Sequence, residues 1–170
     1  FTGARVHVVD SNTITAGQVA RVVRAEGTSR ISRVDLGVLH AIDTMKTRQR
    51  VYGTLDTLEN LKKGGRIGGA KAMLGSMLSI KPLLDLSSGR VEEDGKARTR
   101  KKALQWLLDR VIAQPVENLC VMHGEAPDID DFLQLLGQHV DLTTVRVGPI
   151  GAVIGAHGGP RVMGVAFHVT

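Results

Sequence analysis

Two periodicities divide this chain. Short runs with alternating or continuous apolar positions predict strands: "RVHVV" at 5–9, "RVYGTL" at 50–55, "ENLCVMHG" at 117–124, "TTVRVG" at 143–148 and "VMGVAFHV" at 162–169. Between them apolar residues recur every three or four positions, as one face of a helix requires. Ala16, Val19, Ala20 and Val23 make one such stripe, closed by Gly27, and Val34, Val38, Ile42 and Met45 make a second, over about Ser32 to Met45. The strongest stripe is Leu104, Leu107, Leu108, Val111 and Ile112; another starts at Asp128 with Ile129, Phe132, Leu133, Leu136 and Val140. In "DTLENLKKGG", Asp56 and Glu59 resemble a capping box, and Gly64 and Gly65 end the short helix it opens.

The middle of the chain predicts a further helix from about Ala70 to Ser79, with Ala70, Met73, Leu74, Met77 and Leu78 on its apolar face. "IKPLLDL", "SSG" and "RVEEDGKA" then predict a hairpin, in which Pro82 favours an edge strand or a bulge. "GPIGAVIGAHGGP" is expected to be a glycine-rich bend between the last two strands. Helices and strands interleave, but a hairpin and short closing strands exclude an all-parallel sheet. The expected fold class is α/β, a mixed β-sheet with packed helices.

Composition narrows the function classes. The 170 residues suit one domain, or one lobe of something larger; the chain opens without Met and enters an apolar segment at once, as a fragment of a longer protein would. No apolar run approaches the roughly 18 residues that span a bilayer, and "FTGARVHVVDS" shows neither the basic nor the apolar stretch expected of a signal peptide. Cys120 is the single cysteine, so no intrachain disulfide forms and a reducing, cytoplasmic location is expected. The net charge of +5 and a pI near 9.7 invite nucleic acid, anionic surfaces or an acidic partner. Against nucleic acid stand the aromatics: Phe1, Tyr52, Trp106, Phe132 and Phe167 are scattered through apolar surroundings and build no stacking platform.

The basic, glycine-rich "NLKKGGRIGGAKAM" invites a phosphate-loop reading, which its details refuse. Gly64 and Gly69 have the spacing, but Ala70 intervenes before Lys71, and Ala72 stands where a hydroxyl would meet Mg²⁺. The glycines follow a helix end instead of a strand. Ser76 in "LGSML" lacks the second glycine of a nucleophile elbow, and the six histidines show no metal-ligand spacing, so neither a catalytic residue nor a metal is expected. His157 stands apart because the glycines around it in "IGAHGGP" leave room for close approach of a ligand.

Four segments in order, "VVDSNTITAG", "DTLENLKKGGRIGGAKAMLGSMLSIKPLLDLSSGRV", "KARTRKKAL" and "VIGAHGGP", resemble the DegV family of bacterial fatty-acid-binding proteins. The resemblance covers essentially the whole chain and corresponds to the later part of that family. It implies that residues 1–48 end an N-terminal lobe and that 49–170 form the DegV-like C-terminal α/β lobe. It further implies a carrier, not an enzyme: a long-chain fatty acid lies in an apolar tunnel and its carboxyl group is presented to an ATP-dependent fatty acid kinase, which makes an acyl phosphate for lipid synthesis. No cofactor is implied beyond that ligand.

By the same resemblance His157 belongs to the hydrogen-bond network around the carboxyl group, with Ile154 beside it on the tunnel. Arg98, in "KARTRKK", is the implied contact for the kinase or its phosphate; Arg66 of the G-G-R motif is expected either to share that basic surface or to tie two loops together. Cations crowding a helix start are electrostatically unfavourable, which itself argues for a binding purpose. Arg161 departs from the family, standing where a second glycine usually follows Gly-Pro.

The residues themselves offer a lining. Met73, Leu74, Met77 and Leu78, followed by Ile80, Leu83 and Leu84, are expected to wall the slot, methionine being adaptable to irregular guests. Self-association through a lobe-facing surface is also expected. Two rival readings remain at this point: a basic nucleic-acid-binding or regulatory module, and an acyl hydrolase using His157, for which no nucleophile is evident.

Overall fold

The computed structural model describes Asp10, Thr13, residues 35–76 and residues 80–170, with side chains for all of these except 35–39 and 74–76. The strand at 5–9 and the helix at 16–27 expected from the sequence lie outside these residues. Helix α1 (Asp35–Arg48) extends past the expected end at Met45, and Lys46 and Arg48 in its last turn complement the helix dipole. It leads directly into β1 (Gln49–Thr54), followed by α2 (Glu59–Lys63), a 3₁₀ segment (Gly68–Ser76), β2 (Lys81–Asp85) and β3 (Glu92–Ala97). Helix α3 (Arg100–Ile112), β4 (Val116–His123), α4 (Ile129–Leu136), a 3₁₀ turn (Leu142–Thr144), β5 (Arg146–Pro149), α5 (Ala152–Gly158) and β6 (Met163–Val169) complete the order among the described residues.

Among the described residues, six strands form one sheet in the order β3-β2-β1-β6-β4-β5. The β4–β5 pair is parallel and the others are antiparallel, so the sheet is mixed, as the hairpin signal required. Pro82 sits on β2, inside the edge strand β3, near a register shift between Leu83 and Leu84. Its carbonyl accepts from the Thr54 hydroxyl at 2.9 Å.

Three local readings change. Helix α2 has Leu58 at its N-cap and no side-chain cap; Asp56 is drawn away into ion pairs, and the Thr57 hydroxyl meets the Glu59 N–H at 3.2 Å. The segment after Gly68 is 3₁₀, not α. Its buried residues explain this: Ile67, Ala70 and Met73 are three apart, the spacing that stacks on one face at three residues per turn. The expected glycine-rich bend contains helix α5, begun by extended Gly151 and ended by Gly159 at φ +79°. Gly155 and Gly158, of low helix propensity, concealed it.

Side-chain alternation sorts the sheet into two faces. Tyr52, Val121, Met163, Val165 and Phe167 point to the side covered by α3 and α4, where Leu104, Leu107, Leu108, Val111, Phe132 and Leu136 complete the main core. Helix α3 is the best-specified element: Thr99 caps it by accepting from the Lys102 N–H at 3.3 Å, and five of its residues are buried. Each such leucine contributes roughly 1.5–3 kcal/mol on leaving water. Arg110 lies 5.3 Å from the Tyr52 ring and 5.5 Å from the Trp106 ring and pairs with Asp94, closing the rim of this core. No helix among the described residues is long and apolar enough to cross a membrane.

Candidate functional site

The opposite face of the sheet is nearly bare at its centre. Val51 pairs in register with Ala166, and Gly53 with Gly164, so two adjacent strands present small or absent side chains to the same side. Glycine inside a strand weakens it and marks a place where something approaches the backbone closely. Here the result is a trough whose floor is main chain.

Above the trough lies an apolar cavity of about 330 Å³. Leu55, Leu61, Leu84, Leu86, Met122 and Ile150 are among its walls, and Val162 and Ile154 close one side. Its roof is made where α2 meets α5. A Cβ on Gly64 would overlap the His157 imidazole, and one on Gly159 would overlap the Asn60 side chain. The glycines of "KKGG" and "HGGP" are therefore the two halves of one close contact, which seats His157, half-buried, on the cavity wall.

The mouth is basic. Arg66, Gly89, Arg90 and Val91 line the cavity and also a shallower open groove of about 650 Å³ beside it. Arg66 Nη1 donates to the Gly64 carbonyl at 3.1 Å, and both guanidinium groups are exposed. Neither has a carboxylate partner within ion-pair distance among the described residues. Val153 on α5, 74% exposed, stands at the same opening. An oily interior, one imidazole and two exposed cations at the entrance suit an amphiphile with an apolar body and an anionic end.

The residues named from sequence divide accordingly. His157, Ile154 and Arg66 come together on this cavity, as does Leu84. Leu83 does not: it packs on the other face with Ala97, Ala103 and Trp106. Adjacent strand residues point to opposite faces, so Leu83 and Leu84 cannot share a wall. Met73 is 1% exposed and locked among Leu58, Leu61, Ile67 and Ala70, behind the cavity and not on it. Ile80 packs against that same cluster. Arg98 is exposed just ahead of α3 and does not line the cavity. Met77, Leu78 and the side chain of Leu74 lie outside the described residues. Gly53 and Gly164 went unnoticed, although each is a lone glycine inside a strand pattern, the signal that marks such a floor.

The family model described as "Uncharacterised protein, DegV family" matches residues 1–170. The chain belongs to the DegV family. A DegV domain-containing protein of Deinococcus radiodurans is 36% identical over 177 residues, which covers 97% of this chain and 60% of that protein. Among solved structures, one described as fatty acid binding of a DegV family protein from Thermus thermophilus superposes with a TM-score of 0.85 at 33% identity, covering 99% of this chain and 62% of that one. DegV of Bacillus subtilis, described as a fatty acid binding protein, superposes at 0.76 with 26% identity, covering 97% and 61%. The chain thus spans about three-fifths of the length of these DegV relatives.

Proposed function

We propose that this chain binds a long-chain fatty acid, its tail in the cavity over Gly53 and Gly164 and its carboxyl group beside His157. The observation that carries the reading is the continuous apolar cavity that reaches from the bare centre of the sheet to that imidazole. At about 30 Å³ for a group the size of a water molecule, 330 Å³ takes roughly ten methylenes. Their removal from water yields on the order of 8 kcal/mol at ~0.8 per methylene, part of which association entropy cancels. An unpaired carboxylate at such a site is prohibitively costly, and His157 with Arg66 and Arg90 supplies donors at the mouth.

In this reading residues 49–170 form the lobe that holds the tail, and residues 1–48 end the other lobe. The protein is a carrier subunit that presents its ligand to an ATP-dependent fatty acid kinase, with exposed Arg98 at the start of α3 as a contact. In this reading the bond-making step belongs to the partner kinase. The test is native mass spectrometry of the protein as expressed, with and without organic extraction. A bound mass that leaves on extraction and is identified as a fatty acid is expected. Protein that carries no lipid and does not take up oleate in a titration refutes the proposal.

A further inference from the structure

Arg161 has φ +60°, the left-handed region that side chains other than glycine rarely adopt. Such a conformation persists only where its surroundings over-determine it. Two sets of contacts do so. The backbone is pinned to the end of β4: the Arg161 N–H donates to the Gly124 carbonyl at 2.7 Å, and the Gly124 N–H to the Val162 carbonyl at 2.8 Å. Glu125, beside Gly124, is left-handed as well.

The side chain reaches a cluster of charges. Arg161 Nη1 is 3.6 Å from Asp56, and its Nη2 is 3.9 Å from Asp128. Arg100 forms a two-pronged pair with Asp128 at 2.8 and 3.1 Å and lies 3.9 Å from Asp56, which also meets Lys81 at 3.1 Å. Three cations share two carboxylates, and the five residues come from five separate segments.

The placement of the cluster gives it a purpose. Asp56 precedes α2, the helix whose Gly64 packs on His157, and Arg161 follows α5, the helix that carries His157. The Asp56–Arg161 pair therefore spans the same joint that seats the imidazole. We infer that Arg161 is a positioning residue: with Asp56 and Asp128 it clamps the α5–β6 turn against α2 and fixes the orientation of His157 at the cavity mouth. The Arg161 pairs are attractions between charges at 3.6 and 3.9 Å without close hydrogen bonds, and Arg161 Nε is buried with no hydrogen-bond partner among the described residues.

Arg161→Gly is the informative variant, because glycine accepts φ +60° and the fold keeps its turn while the guanidinium is lost. Three quantities are read on the protein and on Arg161→Gly, Asp56→Asn and the double variant: melting temperature, amide hydrogen exchange, and the NMR resonances of the His157 ring. At an unchanged melting temperature for Arg161→Gly, exchange at residues 157–162 is expected to quicken and the ring resonances to shift. Asp56→Asn is expected to do the same, and the double variant to add little, as partners in one pair do. The affinity arm rests on the fatty-acid reading above: oleate binding weakens about tenfold in either single variant. If the parent protein takes up no oleate, that reading fails, and exchange and the ring resonances still decide the clamp. Wild-type exchange and ring resonances in Arg161→Gly, or unaltered oleate affinity beside quickened exchange, overturn the inference.

Discussion

Replacing Gly53 by leucine tests the trough directly. A Cβ at this position meets the Leu86 Cδ1 and the Met163 carbonyl oxygen at 3.6 Å each, ordinary van der Waals contact, so the backbone has room for a side chain. Gly164 across the pair does not, since a Cβ there lies 2.8 Å from the Tyr52 carbonyl oxygen. Leucine is also a better strand residue than glycine, and the fold should hold or gain stability. Its isobutyl group, however, projects from the floor into a cavity of about 330 Å³. Four added carbons displace about as many methylenes of a bound tail, a loss of roughly 3 kcal/mol at ~0.8 each, or about a hundredfold in Kd. Calorimetric titration with oleate, beside thermal unfolding of the same samples, reads both quantities. A well-folded Gly53→Leu protein that binds oleate as tightly as the parent would show that no tail lies on this floor.

The other expectations are simpler. His157→Ala removes a donor to a charged group and should weaken oleate binding by roughly 1.5–3 kcal/mol with little change in melting temperature, checked in the same titration. Met73→Ala should do the reverse: its side chain is 1% exposed in the core behind the cavity, so stability falls by about 2–5 kcal/mol in urea unfolding while the folded protein keeps its affinity. Asp128 governs part of the acid response. Burial alone would raise its pKa, but the hydrogen bonds and charge of Arg100, its own backbone N–H and the charge of Arg161 outweigh burial and hold it below the ordinary value. A depressed carboxylate adds stability that is fully present above the unfolded pKa near 3.9 and lost as pH falls through the lower folded value. Melting temperatures measured from about pH 5 downward should therefore fall less steeply in Asp128→Asn than in the parent.

Where burial pressure is local, the sequence was sufficient. Helix α3 and strand β6 are legible because each repeats its apolar residues at the period of its own backbone, and Thr99 marks where α3 begins. His157, set apart in the sequence by its glycine neighbours, lies on the wall of the cavity. Helix α5 was hidden, since its glycines argue against a helix in isolation, and packing on α2 supplies what propensity lacks. The run "PLLDL" is apolar without alternation, so nothing in it says that Leu84 faces the cavity and Leu83 the opposite core. Gly53 and Gly164 are separated by most of the chain, and only the β1–β6 register sets them side by side. A periodic pattern records the environment of one element. The void between elements is the sum of what several of them leave unfilled, and that sum exists only once they have packed.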